Sequence, residues 1–148
     1  MISTMIREQC EHLLKTELVG RIGCCVGKKL YVVPVTYVYH DNFIYARSKE
    51  GMKVDMMRKN PNVCFEVDSR LNMRNWRSVI VWGKYEELKT MAEQKKGMKI
   101  LNDVLAPFAL SESLKPTEYV EPHKIEKERN PVVYRISVDE ITGRFEKE

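Results

Sequence analysis

Residues 30–40 read LYVVPVTYVYH, and no other segment constrains the fold of this chain so tightly. Val, Tyr and Thr crowd it, and β-branched and aromatic side chains at this density favour a pleated, extended backbone. Pro34 stands in the middle with no N–H to give to a ladder. The segment therefore needs an edge, a bulge or a ligand that takes over the pairing. Asp41-Asn42 is a hairpin turn, and Phe43–Arg47 is the return strand. Upstream, Arg21–Val26 reads as a short strand and Gly27-Lys28-Lys29 as a turn. Two consecutive hairpins describe a meander.

Further strands are expected at Val63–Asp68, Arg77–Leu88 and Pro131–Val138, with the tail ITGRFEKE closing the chain. Val79 and Val81 alternate with Ile80 and Trp82, the period of a strand. Residues 69–75, SRLNMRN, read as a polar connection. In residues 4–17, Ile6, Cys10, Leu13 and Leu14 share one helical stripe, with Ser3 or Thr4 as cap and Gly20 as terminator. Residues 51–60 form a short helix ended by Asn60-Pro61. Thr90-Met91-Ala92-Glu93 matches a capping box that opens a helix to about residue 105. Residues 107–130, rich in Pro, Glu and Lys, read as loop with one helical turn. Six strands, mostly neighbours in sequence, and three helices favour a mainly β fold: a closed or half-closed antiparallel barrel. No repeat or boundary divides the 148 residues, so one domain over 1–148 is expected.

Composition bears on function mainly by exclusion. The net charge of +4 comes from 25 basic and 21 acidic residues, with the signs mixed. Lys95, Lys96 and Lys99 read as a solvated helix face without interleaved aromatics, so no nucleic-acid partner is expected. No apolar run approaches the roughly 18 residues that span a bilayer, and MISTMIREQCEHLLK lacks a signal-peptide core. A cytoplasmic location with no membrane partner follows. Cys10, Cys24, Cys25 and Cys64 form no C-x-x-C pair and read as reduced, mostly buried thiols. His12, His40 and His123 lack ligand spacing, so no metal is expected. The chain has no Gly-rich phosphate loop and no nucleophile elbow. Glu86 and Glu87 are adjacent on a strand and face opposite ways.

Two segments remain that can carry chemistry. In Tyr45-Ala46-Arg47-Ser48-Lys49-Glu50-Gly51-Met52-Lys53, a strand hands over to a helix. Arg47, Ser48 and Lys53 there gather two cations and a hydroxyl around a helix N-terminus, where orphan N–H groups and the dipole favour an anion. A helix capped by Ser48, with Arg47 and Lys53 in solvent, accounts for the same residues. In Trp76-Arg77-Ser78-Val79-Ile80-Val81-Trp82-Gly83-Lys84, Arg77 and Ser78 open an otherwise apolar strand. A half-buried strand with a polar start accounts for that pattern too.

The order YVVPVTYVY, IYARSKEGMK, NPNVCFEVD and NWRSVIVWGKYEEL resembles the pyridoxamine 5'-phosphate oxidase-like split barrels, and within them the small nitroimidazole-resistance members. The resemblance runs from Gly20 to Leu88, with a weaker echo in PVVYRISVDEITGR. It implies a six-stranded antiparallel split β-barrel with Greek-key character, and FMN (FAD being possible) bound at the interface of a homodimer. Val33, Pro34, Val35 and Thr36 would run beside the flavin ring. Arg47, Ser48 and Lys53, with Gly51 beside them, would hold the phosphate and ribityl chain. Trp76, Arg77, Ser78 and Val79 would line the flavin from the neighbouring wall, in the same or the other subunit. The implied activity is a flavin-dependent oxidoreductase that draws on NAD(P)H or another donor and reduces a small planar acceptor such as a nitroaromatic. A non-catalytic flavin or haem binder is the alternative. The resistance members place a histidine near the flavin, and the matching position here is Ala46. The extension that true oxidases use to hold vitamin B6 is missing after Arg144.

Overall fold

The structure, a computed structural model, describes residues 1–108 and 131–148. In chain order its elements are β1 (Ile2–Thr4), α1 (Arg7–Thr16), β2 (Val19–Val26), β3 (Lys29–Thr36), β4 (Val38–His40), β5 (Phe43–Ser48), α2 (Met52–Lys59), β6 (Asn62–Asn72), β7 (Asn75–Glu87), α3 (Met91–Leu105) and β8 (Val132–Glu146). A single 3-10 turn, Ala106–Phe108, follows α3. From residue 109 onward the expected loop lies outside the described residues.

The strand pairings are antiparallel, in the order β3-β2-β6-β7-β8-β5-β4, with β1 on β8. β2 lies beside β6 and β8 beside β5, the interleaving of a Greek key. The sheet curls without closing. β3 and β5 approach each other, yet no ladder joins the two ends. This is the antiparallel split barrel with flanking helices. Its interior is built from residues such as Ile22, Phe65, Val67, Val79, Val81 and Ile136, with Leu13 and Leu14 of α1 packed in. A second cluster, Val38, Tyr45, Leu88, Leu101, Leu105 and Val133, sits under α3.

Among the described residues, eight strands replace the expected six. LYVVPVTYVYH breaks at Tyr37, whose ring is fully buried and edge-on to Phe65 at 4.8 Å. The Tyr37 N–H donates to the Leu18 carbonyl (2.9 Å) and its hydroxyl to the Leu14 carbonyl (2.7 Å). Ser3 and Thr4, the expected helix caps, instead lie in β1, where Ile2–Thr4 pairs with Arg144–Glu146. α1 begins at Arg7, and the Gln9 side-chain oxygen accepts from the Ile6 N–H at 3.0 Å. SRLNMRN is the tip of the β6–β7 hairpin, whose ladder reaches Asn72 and Asn75. β8 continues through the polar tail to Glu146. These stretches lack apolar alternation, and the ladder itself holds them in place. Gly20 does not end α1; it lies within β2, where a Cβ would overlap the Phe65 ring.

Pro34 does fall on an edge, because β3 ends the sheet order. The Tyr37-to-Leu18 bond fixes the phase of the β2–β3 ladder. Alternation then turns the N–H and C=O groups of Val33 and Val35 toward β2. Those of Val32 and Thr36, with the Pro34 carbonyl, face the open edge. The N–H that Pro34 lacks is one no neighbouring strand would use.

Part of the outer face of the sheet is apolar where solvent would ordinarily select polar groups. Leu30 is 77% exposed, Val32 70% and Trp82 41%. Val32, Gly23, Cys64 and Trp82 form one row across β3, β2, β6 and β7. Cys64 is therefore exposed, contrary to the expectation of mostly buried thiols; Cys10 and Cys24 are buried, Cys25 is half-buried, and all four are free. Among the described residues, no helix is long and apolar enough to cross a membrane.

Candidate functional site

α2 starts at Gly51, whose backbone is extended and whose position offers no side-chain cap. Ser48 does not cap the helix either: its hydroxyl donates to the Lys49 carbonyl at 2.8 Å. The first N–H groups of α2 thus lack intrahelical partners. A Cβ on Gly51 would meet no atom within 4 Å among the described residues, so within them the helix start opens on free space. Gly51→Ala is expected to cost under about 1 kcal/mol of stability while weakening any phosphate-bearing ligand seated there. Thermal melts of the apo protein beside ligand titrations check this.

Lys53, in the first turn of α2, is the principal charge at this opening. It is half-buried, and loss of hydration holds its ammonium below the ordinary lysine range, opposed by the nearby Cys24 thiol. Among the described residues Lys53 makes no hydrogen bond or ion pair. A desolvated cation without a partner costs free energy that an anion would relieve. Arg47 is turned toward α3 and donates to Asn102 Oδ1 at 3.1 Å. Tyr134, paired with Ala46 across β8 and β5, keeps a buried hydroxyl without a hydrogen-bond partner among the described residues.

The opening continues along the split. β4 pairs only with Phe43–Tyr45, so among the described residues Ala46–Ser48 of β5 have no strand on that side. Across the gap lies the open edge of β3. The Val33–Thr36 segment, Arg47, Ser48, Gly51 and Lys53 therefore share one seam and the helix that ends it. Ala46 is 1% exposed and packed in the core, so its position supplies no proton donor or acceptor.

Trp76, Arg77, Ser78 and Val79 lie elsewhere in the subunit. Lys84, opposite Asn62, marks the α2 end of β7. Eight residues at the strand rise separate it from Trp76, about 27 Å. The Trp76 indole N–H donates to Glu146 (3.1 Å), and Arg70 lies over its ring at 5.5 Å. Ser78 donates to Glu66 at 3.3 Å, and burial, with Asp68 nearby, raises that carboxyl. Val79 points into the core. Arg77 is exposed beside a cavity of about 360 Å³ that Phe145 and His12 also line. One chain thus keeps its two candidate walls far apart.

A group that sequence reasoning missed braces the α2 end. Glu86 and Glu87 do face opposite ways: Glu86 accepts from Arg135 (2.8 Å), and Glu87 from Arg58 of α2 (2.8 Å). Arg58 holds the Glu87 carboxyl below its usual range. No local signal links Arg58 to Glu87, because the contact depends on the register that places β7 beside α2.

A curled antiparallel sheet left open along one seam and flanked by helices is the split-barrel class of fold. Within it, a family model described as pyridoxamine 5'-phosphate oxidase matches residues 6–145, and the chain belongs to that family. The uncharacterized protein RA0666 of Rhizobium meliloti is 30% identical over 147 residues, covering 97% of this chain and 94% of that protein. A FAD-binding protein of Mesorhizobium loti is 32% identical, with 98% of each chain covered and a TM-score of 0.79. A candidate 5-nitroimidazole antibiotic resistance protein of Bacteroides thetaiotaomicron shares the fold at 20% identity, with 98% and 89% covered and a TM-score of 0.71.

Proposed function

We propose that this chain binds FMN along the split of its barrel and acts as a flavin-dependent oxidoreductase in a homodimer. The observation that carries the reading is Lys53: a half-buried ammonium, unpaired among the described residues, in the first turn of a helix that begins on space those residues leave open. Lys53, the Ser48 hydroxyl and the first N–H groups of α2 would hold the phosphate. The edge groups of Val32, Pro34 and Thr36 would meet the polar rim of the ring, while Val33 and Val35 keep β3 on β2. The FAD-binding Mesorhizobium loti relative makes the dinucleotide the competing ligand. Flavin, when bound, would supply the redox chemistry between a hydride donor such as NAD(P)H and a small planar acceptor such as a nitroaromatic. The chain's own part is to bind, orient and exclude water, which suits a seam whose Ala46 position carries no acid or base.

Two features support the dimer in this reading. The Trp76–Val79 wall cannot reach the α2 end of its own subunit, and a symmetric partner could bring it there. The exposed Leu30, Val32, Ile80 and Trp82 form an apolar surface of the kind that marks an interface. Trp82→Lys is expected to shift the protein from dimer to monomer in sedimentation velocity and to release flavin with it. A variant that stays dimeric counts against this interface. The absorption spectrum of the protein as purified, with mass analysis of the released ligand, tests the cofactor. A colourless protein that takes up neither FMN nor FAD ends the reading. Ala46 favours one rival, a non-catalytic flavin or haem binder. Flavin that never bleaches with any anaerobic donor would select that rival. A cytoplasmic setting, where NAD(P)H is at hand, belongs to the same proposal.

A further inference from the structure

We propose that Arg58 is a positioning residue that keeps the Glu50 carboxylate away from Lys53, so that the start of α2 stays open to an anion. The identity of that anion rests on the flavin reading; the clamp itself does not. Glu50 precedes Gly51 and stands three residues before Lys53. A carboxylate so close in the chain to an unpaired ammonium is drawn to it by Coulomb attraction. In the structure Glu50 is held elsewhere. Arg58 Nη1 donates to its Oε2 at 2.8 Å and Nη2 to its Oε1 at 2.9 Å. This is the paired geometry in which a guanidinium grips a carboxylate most firmly.

Arg58 is fixed in turn from the barrel. Its Nε and Nη2 donate to the two oxygens of Glu87 at 2.8 and 3.1 Å. The Tyr85 hydroxyl donates to Glu87 at 2.7 Å. Both partners belong to β7, so the loop before α2 is tied to the sheet rather than to its own helix alone. Asp55 is no competitor for Lys53. Two residues further on it does not share a helix face with the lysine, and it lies 4.0 Å from Arg58. Without Arg58, the exposed Glu50 side chain would be free to swing over Gly51 and neutralise the lysine.

The test compares wild type, Arg58→Ala and the double variant Arg58→Ala/Glu50→Gln. FMN is titrated by fluorescence, with riboflavin as the phosphate-free control. Arg58→Ala is expected to weaken FMN about tenfold, the effect of one competing carboxylate near the surface, and riboflavin far less. The double variant should regain wild-type affinity although the clamp is still missing. A double variant as weak as Arg58→Ala overturns the proposal and leaves Arg58 a plain structural brace. A second readout needs no ligand: the titration of the Lys53 amine, followed by NMR in the apo protein. Its midpoint should rise in Arg58→Ala and return in the double variant. A midpoint unmoved by Arg58→Ala overturns the clamp whatever flavin does. If the midpoint moves as stated but the wild type takes up no FMN, the clamp stands and the flavin reading falls. Should Arg58→Ala fold poorly, Arg58→Lys is read the same way, because an ammonium cannot fork two carboxylates at once.

Discussion

Lys53→Met is expected to weaken FMN binding by roughly 10- to 150-fold, the equivalent of one charge-assisted contact of about 1.5–3 kcal/mol, with riboflavin binding little changed. The two ligands differ only by the phosphate, so their ratio isolates what the lysine does. Fluorescence titration of both against both proteins makes the measurement. Equal losses for the two would mean that Lys53 supports the ring or the fold rather than the phosphate. The apo protein should not lose stability, because the substitution removes a desolvated charge without a partner. The pH dependence has a definite sign. Below the folded-state pKa the penalty for burying the ammonium is felt in full. Between that lowered value and the ordinary lysine range the unfolded chain binds more protons than the folded one, so apo stability rises with pH. FMN affinity falls across the same window as the cation is lost. Lys53→Arg, charged at every relevant pH, should remove that fall.

Gly83→Val is expected to cost about 3 kcal/mol, the upper end for overpacking, and to lower Tm by roughly 6–12 °C in a chain of this size. Gly83 sits where the β7–β8 register slips: Trp82 pairs with Glu140 and Gly83 with Val138, leaving Asp139 as the extra residue. A Cβ there would overlap the Ser137 carbonyl oxygen and crowd Ile136. The obstacle is backbone, which cannot rotate aside as a side chain does. Relief requires β8 to move off β7, and the core residues of both strands move with it. A melt within 2 °C of wild type, on the order of 1 kcal/mol or less, would show that β8 accommodates the group.

Local chemistry was legible where it acts alone. Asp41 and Asn42 take positive φ values of 49° and 67°, as a tight hairpin demands. Thr90 accepts from the Glu93 N–H at 3.1 Å, and α3 runs to Leu105. Pro34 falls on an edge, one of the three settings its missing N–H leaves open. What stayed hidden depends on partners distant in sequence. Ile2–Thr4 and the polar end of β8 are strands because they pair with each other and with β7. Cys64 is exposed because the Val32–Trp82 row faces outward, a fact of register rather than composition. The same holds for the site. Arg47, Ser48, Gly51 and Lys53 are contiguous enough for a motif to mark them. The distance from Lys53 to Trp76, and the Arg58 link between Glu50 and Glu87, exist only once β6, β7 and α2 are in place.

The position of β8 has a kinetic consequence. The last described strand in chain order lies in the middle of the sheet, flanked by β7 and β5, with β1 also on it. Until Val132–Glu146 docks, β5 and β7 expose long unpaired edges, and the first three-residue strand has nothing to join. A topology that postpones its most distant contacts in this way assembles slowly, with an interval in which half-built sheets can stick to one another.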